Sequence, residues 1–348
     1  MLLPLLLATS LSVTPSWGQE GGYAERLPRS VLDVRAPYER IEGEPGNMRI
    51  VDRTCQAMPR SQLRRRIVDT AVQEWAWFGY STDVQPRTPA VRSTPRRPFV
   101  YPRLPPEQSA RVASSIAGYW AATPDSDWIL QGQNSAWQDK GIGERWRNAW
   151  SAAFISWVMC ESGLSEPEQF RRAIAHHSYI DQAIVARDTS DGRAAYRAYG
   201  IGDQAIQPGD LLCRGSRPAY RNLAERRSQL GVGARTHCDI VVKVDEAQEQ
   251  ISVIGGNVRA TVRMKVIPAT REEGQPLRPI ADNGRTLFAH LQLQATEIEA
   301  DALDHAPSLQ DNTCLATIDS SKPTTDCQAA TNAASQTHPG VTMSPRTL

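Results

Sequence analysis

The stretch Trp150-Ser151-Ala152-Ala153-Phe154-Ile155-Ser156-Trp157 runs on through Val158 to Glu161 before Gly163, and it reads as one helix with Asn148 as N-cap and Gly163 as C-cap. In that frame Ser151 falls in the first turn, where backbone N–H groups lack intrahelical acceptors and the helix dipole favours negative charge. Such a terminus contributes about 0.3–1 kcal/mol, less than about one pKa unit, which activates a thiol but leaves a hydroxyl protonated at neutral pH. Ser151 therefore acts as a nucleophile only beside a general base. Its bland reading is an ordinary helix-start serine.

Two later segments supply the groups such a serine needs. Thr236-His237-Cys238-Asp239-Ile240-Val241-Val242 opens a strand after a loop containing Gly231 and Gly233, and His237 is its candidate base. The next segment is Ile254-Gly255-Gly256-Asn257-Val258. If Val244 and Gln250 pair across the polar turn between them, His237 comes opposite Asn257, with Cβ atoms about 5 Å apart, close enough for the amide to orient the imidazole. A bulge at Gly255-Gly256 shifts that register and leaves Asp239, on the same strand face as His237, as the orienting group. The alternative is a satisfied structural histidine.

Together the three segments resemble the papain-like cell-wall hydrolases of the NlpC and CHAP (cysteine/histidine-dependent amidohydrolase/peptidase) type. In those domains a Trp-Cys-Ala-Ala-Phe-Val-Ser-Trp-like helix start supplies the nucleophile, a Gly-His-x-Gly-Ile-Val-like strand the base, and a polar residue on the next strand its orientation. Ser151 stands where they carry cysteine. Over residues 60–294 the chain also resembles the bacterial family called domain of unknown function 2272. There Ala175-His176-His177-Ser178-Tyr179-Ile180 and Pro208-Gly209-Asp210-Leu211-Leu212-Cys213 add to the likeness, and serine is usual at this position. The resemblance implies a papain-like α+β domain, with Ser151, His237 and Asn257 or Asp239 in catalytic places and Trp150, His176 and Tyr179 lining the cleft.

Periodicity outside these segments points to the same class. Leu63, Ile67, Ala71, Trp75 and Phe78 mark one stripe of a helix over 61–80, and Val112, Ile116 and Trp120 mark another. Ser165 and Glu168 have capping-box spacing, which predicts a further helix through Phe170 and Ile174. Past Gly200 the pattern alternates, with strands expected at 210–213, 239–244, 251–254, 258–266 and 287–293. Helices followed by an antiparallel sheet make an α+β domain over 61–295. Between Ser81 and Glu107 lie seven prolines and five arginines, read as an irregular insertion. Six of the nine tryptophans fall between Trp120 and Trp157, a packed core in preference to a glycan-stacking surface.

Composition narrows the role. With 39 basic and 38 acidic residues the net charge is +1, so no global field draws the chain to nucleic acid or anionic lipid. Met1 to Val13 is apolar but too short to span a bilayer, and Ser16 and Gly18 have signal-peptidase spacing, so residues 1–18 read as a signal peptide of a periplasmic or secreted protein with no further membrane segment; the lack of Lys and Arg in its first residues leaves an uncleaved anchor as the alternative. Residues 19–60 read as an extended or loosely packed arm and 296–348 as a disordered tail. Six cysteines without a CxxC pair suit disulfides in an oxidising compartment, with Cys213–Cys238 and Cys314–Cys327 the expected pairs. His176 and His177 are adjacent and splay apart on a helix, so no metal site is expected, nor any cofactor. The functional expectation is an exported hydrolase cleaving amide bonds of cell-wall peptides, its partner a peptidoglycan peptide. The rivals are a non-catalytic papain-like domain binding an envelope protein or peptide, and a serine esterase or acyltransferase.

Overall fold

The computed structural model describes residues 23–87, 104–282 and 285–310. The expected signal peptide, most of the proline- and arginine-rich insertion and the Cys314–Cys327 pairing lie outside those residues. The chain opens with a small hairpin, β1 (Ile41–Glu42) and β2 (Arg49–Ile50), then α1 (Leu63–Trp77) and a short strand, β3 (Thr82–Val84). Three helices follow: α2 (Pro106–Ala121), α3 (Asp127–Lys140) and α4 (Ser151–Glu161). After α5 (His177–Thr189) come β4 (Tyr196–Tyr199), β5 (Leu211–Arg217) and the short α6 (Leu223–Arg227). The remaining strands are β6 (Arg235–Asp245), β7 (Gln250–Val258), β8 (Thr261–Thr270), β9 (Arg278–Pro279) and β10 (Leu287–Leu293).

This is an α+β fold, as expected. One sheet runs β3-β8-β7-β6-β5-β10-β4, with β9 paired to β8. Its central ladders are antiparallel, but the edge strand β3 lies parallel to β8, so the sheet is mixed where a purely antiparallel one was expected. The expected insertion opens with β3, and its last prolines start α2, where proline suits the first helical position.

The sequence places α4 at the centre. All of its residues are buried, and it packs against α1 and α2 on one side and β6 and β7 on the other. A helix apolar all round survives in water only when enclosed. Gly256 permits the close approach of β7, because a methyl group there would stand 2.5 Å from Phe154 Cβ. Around α4 the large aromatics interlock: Tyr119 meets Phe154 edge-on at 5.5 Å, and Trp150 stacks on Phe78 at 6.0 Å. Each fully buried side chain of this size stabilises the fold by about 1.5–3 kcal/mol. The tryptophan-rich stretch thus contributes Trp120, Trp150 and Trp157 to the core.

Several assignments differ from expectation. The N-cap of α4 is Trp150 and not Asn148. No helix opens at Ser165: Gln169 Oε1 accepts the Glu166 N–H at 3.1 Å, closing a local turn. The arm before α1 is packed, with Leu32 and Val34 buried and Cys55 bonded to Cys160 of α4. That bridge closes a separation of 105 residues, for which chain entropy gives about 4–5 kcal/mol. Beyond β10, Ala302 and Ala306 are buried in the main core, so the described part of the expected tail belongs to the body.

Candidate functional site

Ser151 is the first residue of α4. The first helical bond is Phe154 N–H to the Trp150 carbonyl at 2.9 Å, so the N–H groups of Ser151, Ala152 and Ala153 have no acceptor within the helix. Ser151 is 8% exposed, and its Oγ lies 2.7 Å from His176 Nε2. His176 is the N-cap residue of α5, and Tyr179 stands in that helix's first turn. The sequence had placed both only at the cleft wall; the structure brings His176 into direct hydrogen-bonding contact with Ser151.

The direction of that hydrogen bond follows from its neighbour. Cys238 N–H donates to His176 Nδ1 at 3.2 Å, and a backbone N–H can only donate. Nδ1 is therefore an acceptor. The Tyr179 hydroxyl contacts the same nitrogen. Burial, foremost, and the neighbouring His237 hold the His176 pKa well below its ordinary value, so the ring is neutral and carries its one proton on Nε2. That proton points at Ser151. Ser151 Oγ accepts, and its own hydrogen is left for another partner.

His237 lies on β6, with its ring centroid 5.2 Å from that of His176. Its Nε2 bonds Asp239 Oδ1 at 2.9 Å, two residues along the same strand face. Burial outweighs the attraction of Asp239, so the His237 pKa lies below its ordinary value. Asp239 is held far below the usual carboxylate range by His237 and then Lys265, against the cost of its burial. His237 therefore donates its Nε2 proton to an ionised Asp239, and Nδ1 carries a lone pair that engages no protein partner among the described residues.

Behind Asp239 sits a line of buried charge. Lys265 Nζ lies 2.5 Å from Asp239 Oδ2 and 2.6 Å from Asp282 Oδ2, and Arg214 Nε lies 2.5 Å from the same Asp282 oxygen. Lys265 is fully buried. A lone ammonium there would cost several kcal/mol, and two carboxylates offset it. Sequence reading passed over Lys265 and Asp282, although a lysine inside an alternating apolar strand is itself a signal, since such residues are buried only when paired.

Asn257 does not bond His237. The β6–β7 ladder pairs Asp245 with Gln250, one step from the expected pairing, and slips between Val241 and Lys243, so that Ile240 faces Ile254. The slip restores the expected offset near His237, yet Asn257 turns away with φ 55°, in the left-handed region. Gly255 takes the place opposite the pair instead: a methyl group on it would stand 1.8 Å from Asp239 Oδ1 and 3.2 Å from His237 Nε2. Asp239, the alternative orienting group, is the one in position. Cys213 and Cys238 face each other across β5 and β6 and are bonded, as expected.

Among the described residues no group of His, Cys, Asp and Glu is arranged to hold a metal ion, and no helix is long and apolar enough to cross a membrane. Residues 107–293 match a family model described as "Uncharacterized protein conserved in bacteria (DUF2272)". No curated protein and no solved structure matches the chain.

Proposed function

We propose, from the premise that the chain belongs to the uncharacterised bacterial family DUF2272, that it is an exported serine hydrolase of papain-like organisation, acting on amide bonds of cell-wall peptides. The observation that carries this reading is the union of Ser151 at the N-terminus of α4, a histidine donor on its Oγ, and a second histidine oriented by an ionised aspartate. The order of helix-borne nucleophile and strand-borne base is that of NlpC and CHAP domains. The orienting group differs: Asp239 comes from the base's own strand.

The two histidines divide the work. His237 Nδ1 takes the Ser151 hydroxyl proton as Oγ attacks the carbonyl carbon, and Asp239 stabilises the imidazolium that forms. The new C–O bond pushes charge onto the carbonyl oxygen, toward the free N–H groups at the start of α4. His237 then gives the proton to the leaving nitrogen as the C–N bond breaks, and water repeats the sequence on the acyl-serine. His176 Nε2–H holds Oγ in place and lowers the cost of its negative charge before attack. The disulfides Cys55–Cys160 and Cys213–Cys238 suit an oxidising compartment, in keeping with a periplasmic or secreted site of action.

One observation favours a second reading. Because Ser151 is nine-tenths buried and its Oγ is already an acceptor, the same cluster suits a non-catalytic domain that binds an envelope peptide. Purified protein treated with a fluorophosphonate probe and with muropeptides separates the two. On the hydrolase reading the parent is labelled at Ser151 and releases amine from muropeptides, while Ser151→Ala does neither. Equal signals from both proteins remove Ser151 from the mechanism.

A further inference from the structure

Beside Ser151 lies a groove of about 430 Å³, bounded by α2, the loop from α3 to α4 and the tip of the β7–β8 hairpin. Its floor is apolar: Val112 and Ile116 from α2, and Ile142, Trp146 and Trp150 from the loop that ends at Ser151. Its size and lining are those of small-molecule sites, which fall at roughly 300–1,000 Å³. Arg145 and Arg147 stand exposed on the rim, and neither guanidinium has a hydrogen-bond or ion-pair partner among the described residues. Among the described residues Glu144 is the one acid lining the groove, so the rim they form carries an excess of positive charge.

The hairpin tip gives a separate sign of function. Val258 pairs with Thr261 around a two-residue turn, and Arg259 and Ala260 have φ 54° and 66°. Glycine or asparagine is the usual occupant of such turns, and strained positions of this kind collect at ligand sites. Asn257 and Ala260 both face the groove.

We infer that this groove binds an anionic aliphatic group, its methylene chain on the Ile116–Trp146 floor and its negative end at Arg145 and Arg147. The inference rests on the Ser151 reading only for the chemical meaning of the ligand, which there becomes the acyl-side arm of the substrate. Binding itself needs no catalysis.

Calorimetric titration with decanoate, hexanoate and decyltrimethylammonium tests it on the purified chain. Decanoate is expected to bind saturably at one site. Hexanoate is expected to bind on the order of a hundredfold more weakly, because each buried methylene strengthens binding about fourfold. The cation of equal chain length is expected to bind more weakly than decanoate. Ala149→Trp fills the groove from its exposed rim, and Ser109→Trp fills it from α2; each is expected to abolish binding. Arg145→Gln with Arg147→Gln is expected to weaken decanoate about tenfold. Absence of saturable decanoate binding, retention of it in both tryptophan variants, or preference for the cation overturns the inference. Ser151→Ala is expected to bind decanoate as the parent does. A groove that binds decanoate on a protein no fluorophosphonate labels would refute the hydrolase reading and leave this one standing.

Discussion

At the scale of single residues, His176 accepts donors on Nδ1 and presents its proton to Ser151, which makes it a poor base and a good holder of negative charge. Reversing its tautomer would leave the buried Cys238 N–H without an acceptor, at about 1–3 kcal/mol. Long-range proton–nitrogen correlation spectra are therefore expected to show both His176 and His237 protonated on Nε2 at pH 7; a proton on His176 Nδ1 would make it the base instead. The acid limb of Ser151 labelling adds an independent check. His237 must be neutral to accept a proton, and burial, foremost, with Arg214 and Lys265 beyond it, keeps its pKa below about 6.5 against the pull of Asp239. Labelling is thus expected to stay level as pH falls through 6.5 and to decline only below it. In Lys265→Met a cation that disfavours imidazolium is gone, so the limb is expected to move to higher pH, measured as the half-maximal labelling rate. An unmoved limb would detach Lys265 from the site. Much of this was legible in advance: Ser151, His237 and Asp239 stood out by type and spacing. The pairing of Ser151 with His176 was not, because it depends on how the turn before α5 folds back over α4, and no spacing encodes that.

At the scale of elements, α1 carries an unfavourable group. Asp69 is buried, its Oδ1 has no hydrogen bond, and desolvation raises its pKa to about 7 against the weaker pull of Arg65 and Arg66. A folded pKa above the unfolded value means that the folded chain binds more protons between about pH 4 and pH 7, so stability falls across that window and is level above it. Asp69→Asn removes the ionisation. Its midpoint of thermal unfolding is expected to exceed the parent's at pH 8, by as much as about 4 kcal/mol of stability, and the gap is expected to close toward pH 4. A gap that does not change with pH would place the cause elsewhere. The apolar stripe of α1 and the alternation in β10 were readable because burial imposes those periods directly. The helix expected at Ser165 failed because Pro167 and the Gln169 side chain favour a turn there, a local competition that capping-box spacing alone does not weigh. The β6–β7 register came out shifted at the turn and restored by a bulge, and bulges leave little trace in an alternating pattern.

At the scale of the whole molecule, the chain closes around α4 from both ends. The arm before α1 is tied to α4 by Cys55–Cys160, and residues past β10 cover the core through Ala302 and Ala306. Neither was foreseen, because both segments are polar and lack a period, and their order comes from what they cover. The proposed order of helix-borne nucleophile and strand-borne base needs Ser151 and His237 to share one cleft, and alkylation of Ser151→Cys measures that most directly. If His237 serves position 151 as proposed, a thiol at the start of α4 should titrate at roughly 3.5–7.5 in place of about 8.5. Iodoacetamide at pH 7, with the adduct located at position 151 by mass spectrometry, is expected to modify it faster than an ordinary exposed cysteine, and about tenfold more slowly once His237→Ala is added. A thiol that alkylates at an ordinary rate, indifferent to His237, would contradict the account.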